Sequence, residues 1–273
     1  LTYTHAKVIH VDIDEKELGR VLPQFMSVQA DVKKLLGLLN ESIERKRIPD
    51  YNKWKACIFN WKERYKEDLH VNNEGIDPLR LVEYIGEHLP EDAIFTNDVG
   101  QNTMWVCQGL IPKGRQRLVT SSGYASMGFS LPAEIGAKMA CPDQVVVSFS
   151  GDGGFHMNLQ ELQFVKLHAL DIKFVVFNNN TLGMMREVQK IYYNNNYVGS
   201  NEKEFTCVDL KKVAELYDLE YLAISSETEF IRVGEALNDS KAIIIDCRLP
   251  MDTHLKNWKE FMQEHPEAMV IGK

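Results

Sequence analysis

From Gly75 onward, short apolar runs alternate with segments whose apolar residues recur every three or four positions. The runs are AIFT (93–96), RLVT (117–120), VVVSFS (145–150), IKFVVF (172–177), EYLAI (220–224) and AIIIDC (242–247), and most are apolar throughout. A strand that is apolar on both sides must be buried on both faces, as in a parallel sheet sandwiched between helices. The intervening segments carry helix signals. Asp77 precedes Pro78, and Leu79, Val82, Ile85 and Leu89 share one face; Asn158 with Glu161 and Ser226 with Glu229 have capping-box spacing. The pattern predicts an α/β domain over 75–273, a doubly wound, mainly parallel six-stranded sheet flanked by helices.

Upstream the pattern changes. AKVIHVDID predicts a strand over 7–13 with no sheet of its own to join. DVKKLLGLLNESI predicts an amphipathic helix, and Trp54, Ile58 and Trp61 mark the apolar stripe of another, with the two tryptophans read as packing anchors. Residues 21–74 are thus expected to be a helical linker, with 1–20 a remnant of a preceding domain. The opening on Leu1 suggests a piece cut from a longer chain. YYNNNY (192–197) reads as a flexible loop.

Composition narrows the function. The chain has 273 residues, 44% of them hydrophobic, and a formal net charge of -8. Without a basic block it has no electrostatic footprint for nucleic acid or an anionic membrane. No apolar run approaches the roughly 20 residues of a membrane helix. Five scattered cysteines without a CxxC pair signal neither a disulfide framework nor a zinc site. A cytoplasmic protein whose partners are small molecules or other proteins is expected.

The chemistry concentrates at two strand ends. The run 145–150 delivers Gly151, Asp152, Gly153 and Gly154, and 172–177 delivers Asn178, Asn179 and Asn180. Either cluster alone is ordinary turn chemistry. However, 24 residues separate Gly153 from Asn178, the length of one helical crossover, so both clusters should reach adjacent strand ends, where ligands bind in such sheets. The helix after Gly151 is expected to point its N-terminus at a phosphate there. A carboxylate and a neutral amide oxygen beside a diphosphate suit magnesium, which takes few protein ligands.

GDG, 24 residues and NN together resemble the thiamine diphosphate binding motif. The flanking VGQNTMW (99–105), SSGYASMGFSLPAEIGAK (121–138), GDGGFHMNLQEL and FNNNTLGMMREVQKIYYNNNY resemble, in order, the C-terminal domain of the acetolactate synthase group, and AKVIHVDID resembles the last strand of that group's middle domain. The resemblance implies Asp152, Asn179 and the Thr181 carbonyl as magnesium ligands. It implies diphosphate contacts from Gly100, Gln101, Asn102, Gly153 and Gly154, with Gly151, Leu182, Gly183 and Met184 also lining the cofactor. Met127, by itself ordinary core filler, becomes the wedge beneath the bent cofactor. Ala125 stands near the pyrimidine where a glycine is usual, and His156 is a further candidate for polar lining; His168, His254 and His265 show no partner pattern.

The implied activity is decarboxylation of a 2-keto acid such as pyruvate and carboligation to a second one, as in branched-chain amino acid biosynthesis, by a homodimer or homotetramer. The activating glutamate of this group comes from the N-terminal domain of a neighbouring subunit, so no residue of this sequence is assigned that role, and the chain alone is expected to lack turnover. FAD is expected only with a complete middle domain. Two departures bear on substrate. Val188 stands where biosynthetic members carry a tryptophan that shapes the second substrate's pocket, and the closing MDTHLKNWKEFMQEHPEAMVIGK lacks the group's proline-rich ending. Another acceptor, such as a keto sugar, and a non-catalytic module that keeps the fold remain alternatives.

Overall fold

The computed structural model describes residues 7–21, 25–44, 49–66, 70, 75–254 and 256. The chain divides into two compact units, one through Arg64 and one from Tyr65. In the first, β1 (Ile9–Asp12) pairs in parallel with β2 (Met26–Gln29), with Ile9 opposite Met26. The expected lone strand therefore has a partner, inside the stretch expected to be purely helical. Four residues are too few for alternation to stand out in a sequence window, and only the pairing defines them. Helices α1 (Val32–Glu44) and α2 (Asn52–Lys66) follow, and Trp54 meets Trp61 edge-on within α2 at 5.4 Å between centroids.

The second unit begins with α3 (Pro78–His88). The Asp77 carboxylate accepts the Leu79 N–H at 2.9 Å, and Pro78 occupies the first turn, where a missing N–H costs nothing. Then come β3 (Ile94–Asn97), α4 (Gln101–Gly109), β4 (Arg117–Thr120), α5 (Ser130–Ala140), β5 (Val146–Gly151), α6 (Asp152–His156), α7 (Leu162–Leu167), β6 (Lys173–Asn178), α8 (Gly183–Tyr192), α9 (Leu210–Tyr217), β7 (Glu220–Ile224), α10 (Phe230–Leu237) and β8 (Ile243–Arg248). The six strands β3 to β8 form one sheet in the order β4-β3-β5-β6-β8-β7, and every neighbouring pair is parallel. Apolar residues of α3, α4 and α10 pack on one face, and those of α5, α7 and α9 on the other. Burial on both sides is the reason the central strands β5, β6 and β8 are largely apolar, whereas the edge strands β4 and β7 are only partly buried. No helix among the described residues is long and apolar enough to cross a membrane.

Two local expectations differ. Asn158 caps nothing. Its Nδ2 donates to the Gly128 carbonyl at 2.6 Å, and its Oδ1, the atom a cap would use, accepts from Gln160 Nε2 at 3.2 Å. Ser226 does cap, accepting the Thr228 N–H, while Glu229 reaches back to the Ser225 N–H at 2.9 Å. In the asparagine run, Asn194 and Asn195 adopt the left-handed conformation that asparagine tolerates, turning the chain directly after α8.

The strand order reverses between β3 and β5. From β3 the chain steps outward to β4, then crosses back to β5 and continues the other way. Such a reversal leaves a crevice beyond the carboxyl ends of the two strands. An aromatic ladder supports it: Phe95, Phe149 and Phe177 stack with centroids 6.0 and 6.2 Å apart, and Trp105 tilts onto Phe177 at 5.3 Å. Each buried ring contributes roughly 1.5–3 kcal/mol of apolar burial, which makes the crevice floor rigid.

Candidate active site

Three helices begin at this crevice: α4 at Gln101, α6 at Asp152 and α8 at Gly183. The N–H groups of a first helical turn have no intrahelical partners and suit an anion. Helix α6 has only five residues, so it presents local N–H groups and little macrodipole, less than expected from its sequence. The cavity between the three encloses about 230 Å³.

Of the residues singled out in the sequence, Gly100, Gln101, Asn102, Met127, Gly151, Asp152, Gly153, Gly154, Asn179, Thr181, Leu182, Gly183 and Met184 line this one cavity. The 24-residue spacing works as expected, since β5 and β6 are adjacent and Gly151 lies opposite Phe177. Ala125, Val188 and His156 do not line it. Ala125 is exposed with φ +53, Val188 lies one turn beyond Met184 on α8 and is 40% exposed, and His156 is exposed at the end of α6. His168 stacks on Phe164, His254 lies near the Asp252 carbonyl, and His265 is outside the described residues.

Asp152 is the most telling group. It is 3% exposed; Oδ1 accepts the Gly153 N–H at 2.9 Å, while Oδ2 is buried without a partner. Burial pushes its carboxyl up to about 7, against the opposing pull of the Gly153, Asn180 and Thr181 N–H groups. Beside it, Asn179 Oδ1 accepts the Thr181 N–H at 3.3 Å, and the Thr181 hydroxyl donates to the Ser200 carbonyl at 2.7 Å. An orphaned carboxylate oxygen next to a neutral amide oxygen fits a hard divalent cation. No group of three or more His, Cys, Asp or Glu residues that could hold a metal ion occurs among the described residues; a cation held here would keep most of its shell for water and phosphate oxygens.

The glycines are required by close approach. A Cβ on Gly153 would lie 2.6 Å from Leu182 Cδ2, and one on Gly154 would lie 2.6 Å from Asp98 Oδ1.

Asp98 is a residue that the sequence reading missed. Fully buried, it accepts the N–H groups of Val99 at 2.8 Å and of Gly128 and Ser130 at 2.9 Å each. Its carboxylate thus anchors the loop that carries Met127. The signal was present: NDVG (97–100) follows an apolar run just as GDGG does. Val99, Trp105, Phe177 and Met185 also line the cavity, but as apolar residues they carry no mark distinguishing them from core.

Fold and site together define a parallel α/β domain whose glycine-lined ligand crevice lies at its topological switch point. The family model described as "Thiamine pyrophosphate enzyme, C-terminal TPP binding domain" matches residues 98–247, more than half of the chain, and the chain belongs to that family. It is 32% identical to the acetolactate synthase large subunit of Lactococcus lactis over 255 residues, covering 92% of this chain and 43% of the relative. It is 33% identical to acetolactate synthase of Arthrospira platensis over 259 residues (90% and 43%), and 36% identical to chloroplastic acetolactate synthase 2 of Nicotiana tabacum over 210 residues (74% and 32%). The chain spans about two-fifths of the length of the first of these relatives.

Proposed function

We propose that the protein carrying this chain is an acetolactate synthase-like enzyme, dependent on thiamine diphosphate and magnesium, that decarboxylates pyruvate and joins the remaining two-carbon unit to a second 2-keto acid. The observation that carries this reading is the partnerless Oδ2 of Asp152, buried beside Asn179 in a glycine-lined cavity. When bound, thiamine diphosphate supplies the carbon nucleophile and the electron sink. The chain's own residues bind and orient it. Asp152, Asn179 and the Thr181 carbonyl hold the cation; Gly100, Gln101, Asn102, Gly153 and Gly154 face the diphosphate; Met127, Leu182, Gly183 and Met184 shape the slot for the rings. Trp105 and Phe177, both almost fully buried, exclude water.

We read the active form as a homodimer or homotetramer, because the family resemblance implies that a glutamate from a neighbouring subunit completes the site. The free state of all five cysteines accords with a reducing cytoplasm. Residues 1–20 are read as the end of a middle domain. A second reading of the acceptor is favoured by Val188: short, half-exposed and outside the cavity wall, it leaves room for an acceptor bulkier than a 2-keto acid, such as a keto sugar.

Calorimetry of the full-length protein with thiamine diphosphate, with and without magnesium, is the first test. Magnesium-dependent binding that disappears in Asp152→Ala is expected; binding indifferent to magnesium would leave only a non-catalytic module. Product analysis with pyruvate alone, then with added acceptors, distinguishes the two substrate readings.

A further inference from the structure

The polar wall of the cavity contains a chain of side-chain amides. Gln101 Nε2 donates to Glu187 Oε2 at 3.0 Å and to the Thr253 carbonyl at 3.1 Å. Gln101 Oε1 accepts from Asn179 Nδ2 at 3.2 Å. Both amides are buried, at 5% and 6% exposure. The anchors on the far side of Gln101 are oxygens: a carbonyl has no proton to give, and a carboxylate accepts only. Gln101 must therefore turn its NH₂ group toward them and its oxygen toward Asn179. Asn179 must answer with its own NH₂ group, which leaves Oδ1 on the opposite edge of the amide, where it accepts the Thr181 N–H at 3.3 Å. Reversing either amide would bring donor against donor or oxygen against oxygen at a buried site.

We propose that Gln101 is a positioning residue: held by Glu187 and Thr253, it acts together with the Thr181 N–H to make Asn179 present oxygen and not nitrogen to the cation. The proposal rests on the reading of Asp152 and Asn179 as magnesium ligands. Gly183 supports it independently, because a Cβ there would collide with both Gln101 Oε1 and Asn179 Nδ2. The first turn of α8 thus lies directly against the bond between the two amides and shields it from water. Glu187 on α8 and Thr253 in the segment after β8, neither of which lines the cavity, consequently bear on the metal position. The same segment is pinned to α8 by Arg186 and Asp252 at 2.8 Å. Partners behind a ligand typically change metal affinity 10- to 100-fold when removed.

The test is a magnesium titration of the full-length protein at saturating thiamine diphosphate, with cofactor binding read by tryptophan fluorescence instead of turnover. Gln101→Leu is expected to raise the half-saturating magnesium concentration about tenfold or more. Glu187→Leu should raise it less, because the Thr253 carbonyl still holds Gln101. The decisive arm repeats Gln101→Leu in an Asn179→Asp background. Aspartate offers oxygen at either end, so orientation no longer matters, and one of its oxygens then opposes Gln101 Oε1; Gln101→Leu should therefore no longer raise the magnesium requirement by more than about twofold, and lowers it where that repulsion is relieved. A loss that persists undiminished in that background would show that Gln101 acts only by packing or through the diphosphate contact already read for it, and would overturn the proposal. An unchanged magnesium requirement in Gln101→Leu alone would do the same. Asn179→Ala tests the underlying reading separately: if it binds magnesium like the parent, the ligand assignment fails and the proposal falls with it. Unfolding temperatures without ligand verify that each variant is folded.

Discussion

Ala125 carries a conformation that its side chain opposes. At φ +53 an L-residue crowds its own carbonyl, at a cost of roughly 1–2 kcal/mol that glycine escapes. Ala125→Gly is therefore expected to raise stability by about 1 kcal/mol after allowance for glycine's freer unfolded chain, read as a higher urea midpoint. A lower midpoint would mean that the loop gains more from stiffness than it loses to strain. Glu134 is a second residue under local stress. It is fully buried on α5, where Oε1 accepts the Lys173 N–H at 3.1 Å and Oε2 lacks a partner. Desolvation holds its carboxyl well above the usual range, partly offset by Ser148 and Lys173. Because its folded pKa is raised, the native state keeps a proton that the unfolded chain releases near pH 4.5. Stability must then fall as pH rises from that point toward the folded pKa, by up to about 1.4 kcal/mol per pH unit. Glu134→Gln does not titrate, so its advantage in unfolding temperature over the parent should widen from pH 5 to pH 8; an advantage equal at both values would rule this out.

Among the elements, the turn from β5 into α6 shows how tightly backbone spacing controls the site. Gly154 faces Asp98, whose carboxylate is held by three N–H groups and has no freedom to retreat. Gly154→Ala is expected to destabilise by roughly 1–3 kcal/mol, the range for overpacking a well-packed position. Gly136, in the interior of α5, provides the contrast, because a Cβ added there would meet nothing within 4 Å: Gly136→Ala should stabilise by about 0.5–1 kcal/mol. Urea unfolding of the two variants checks both signs. The central strands were legible because double burial leaves a nearly continuous apolar signature, and all six sheet strands, the part-exposed edges β4 and β7 included, lie within a residue of the runs 93–96 through 242–247. The pair β1 and β2 was only half legible, since β2 has four residues and is defined by its partner. Asn158 shows the same limit: its spacing to Glu161 is that of a cap, yet the Gly128 carbonyl claims its amide.

For the whole molecule, the buried polar groups at the crevice predict that ligand and stability are linked. A ligand that binds only the folded state stabilises in proportion to the logarithm of one plus the ratio of its free concentration to Kd, about 2.7 kcal/mol at a hundredfold excess over Kd. Thiamine diphosphate with magnesium should raise the unfolding temperature of the full-length protein, and EDTA should return it to the ligand-free value while the diphosphate is still present. A rise that survives EDTA would argue against a cation at Asp152. The sequence by itself determined the parallel α/β class and the arrival of Asp152 and Asn179 at neighbouring strand ends, because both follow from local burial patterns and from the length of one crossover. Tertiary structure alone decided that Asp98 anchors the Met127 loop, that Val188 stands outside the cavity, and that Gln101 lies between Asn179 and Thr253. Those last contacts join residues 78 and 152 positions apart. No periodicity or spacing rule reaches that far, since such pairs meet only once the sheet order has set which loops share a crevice.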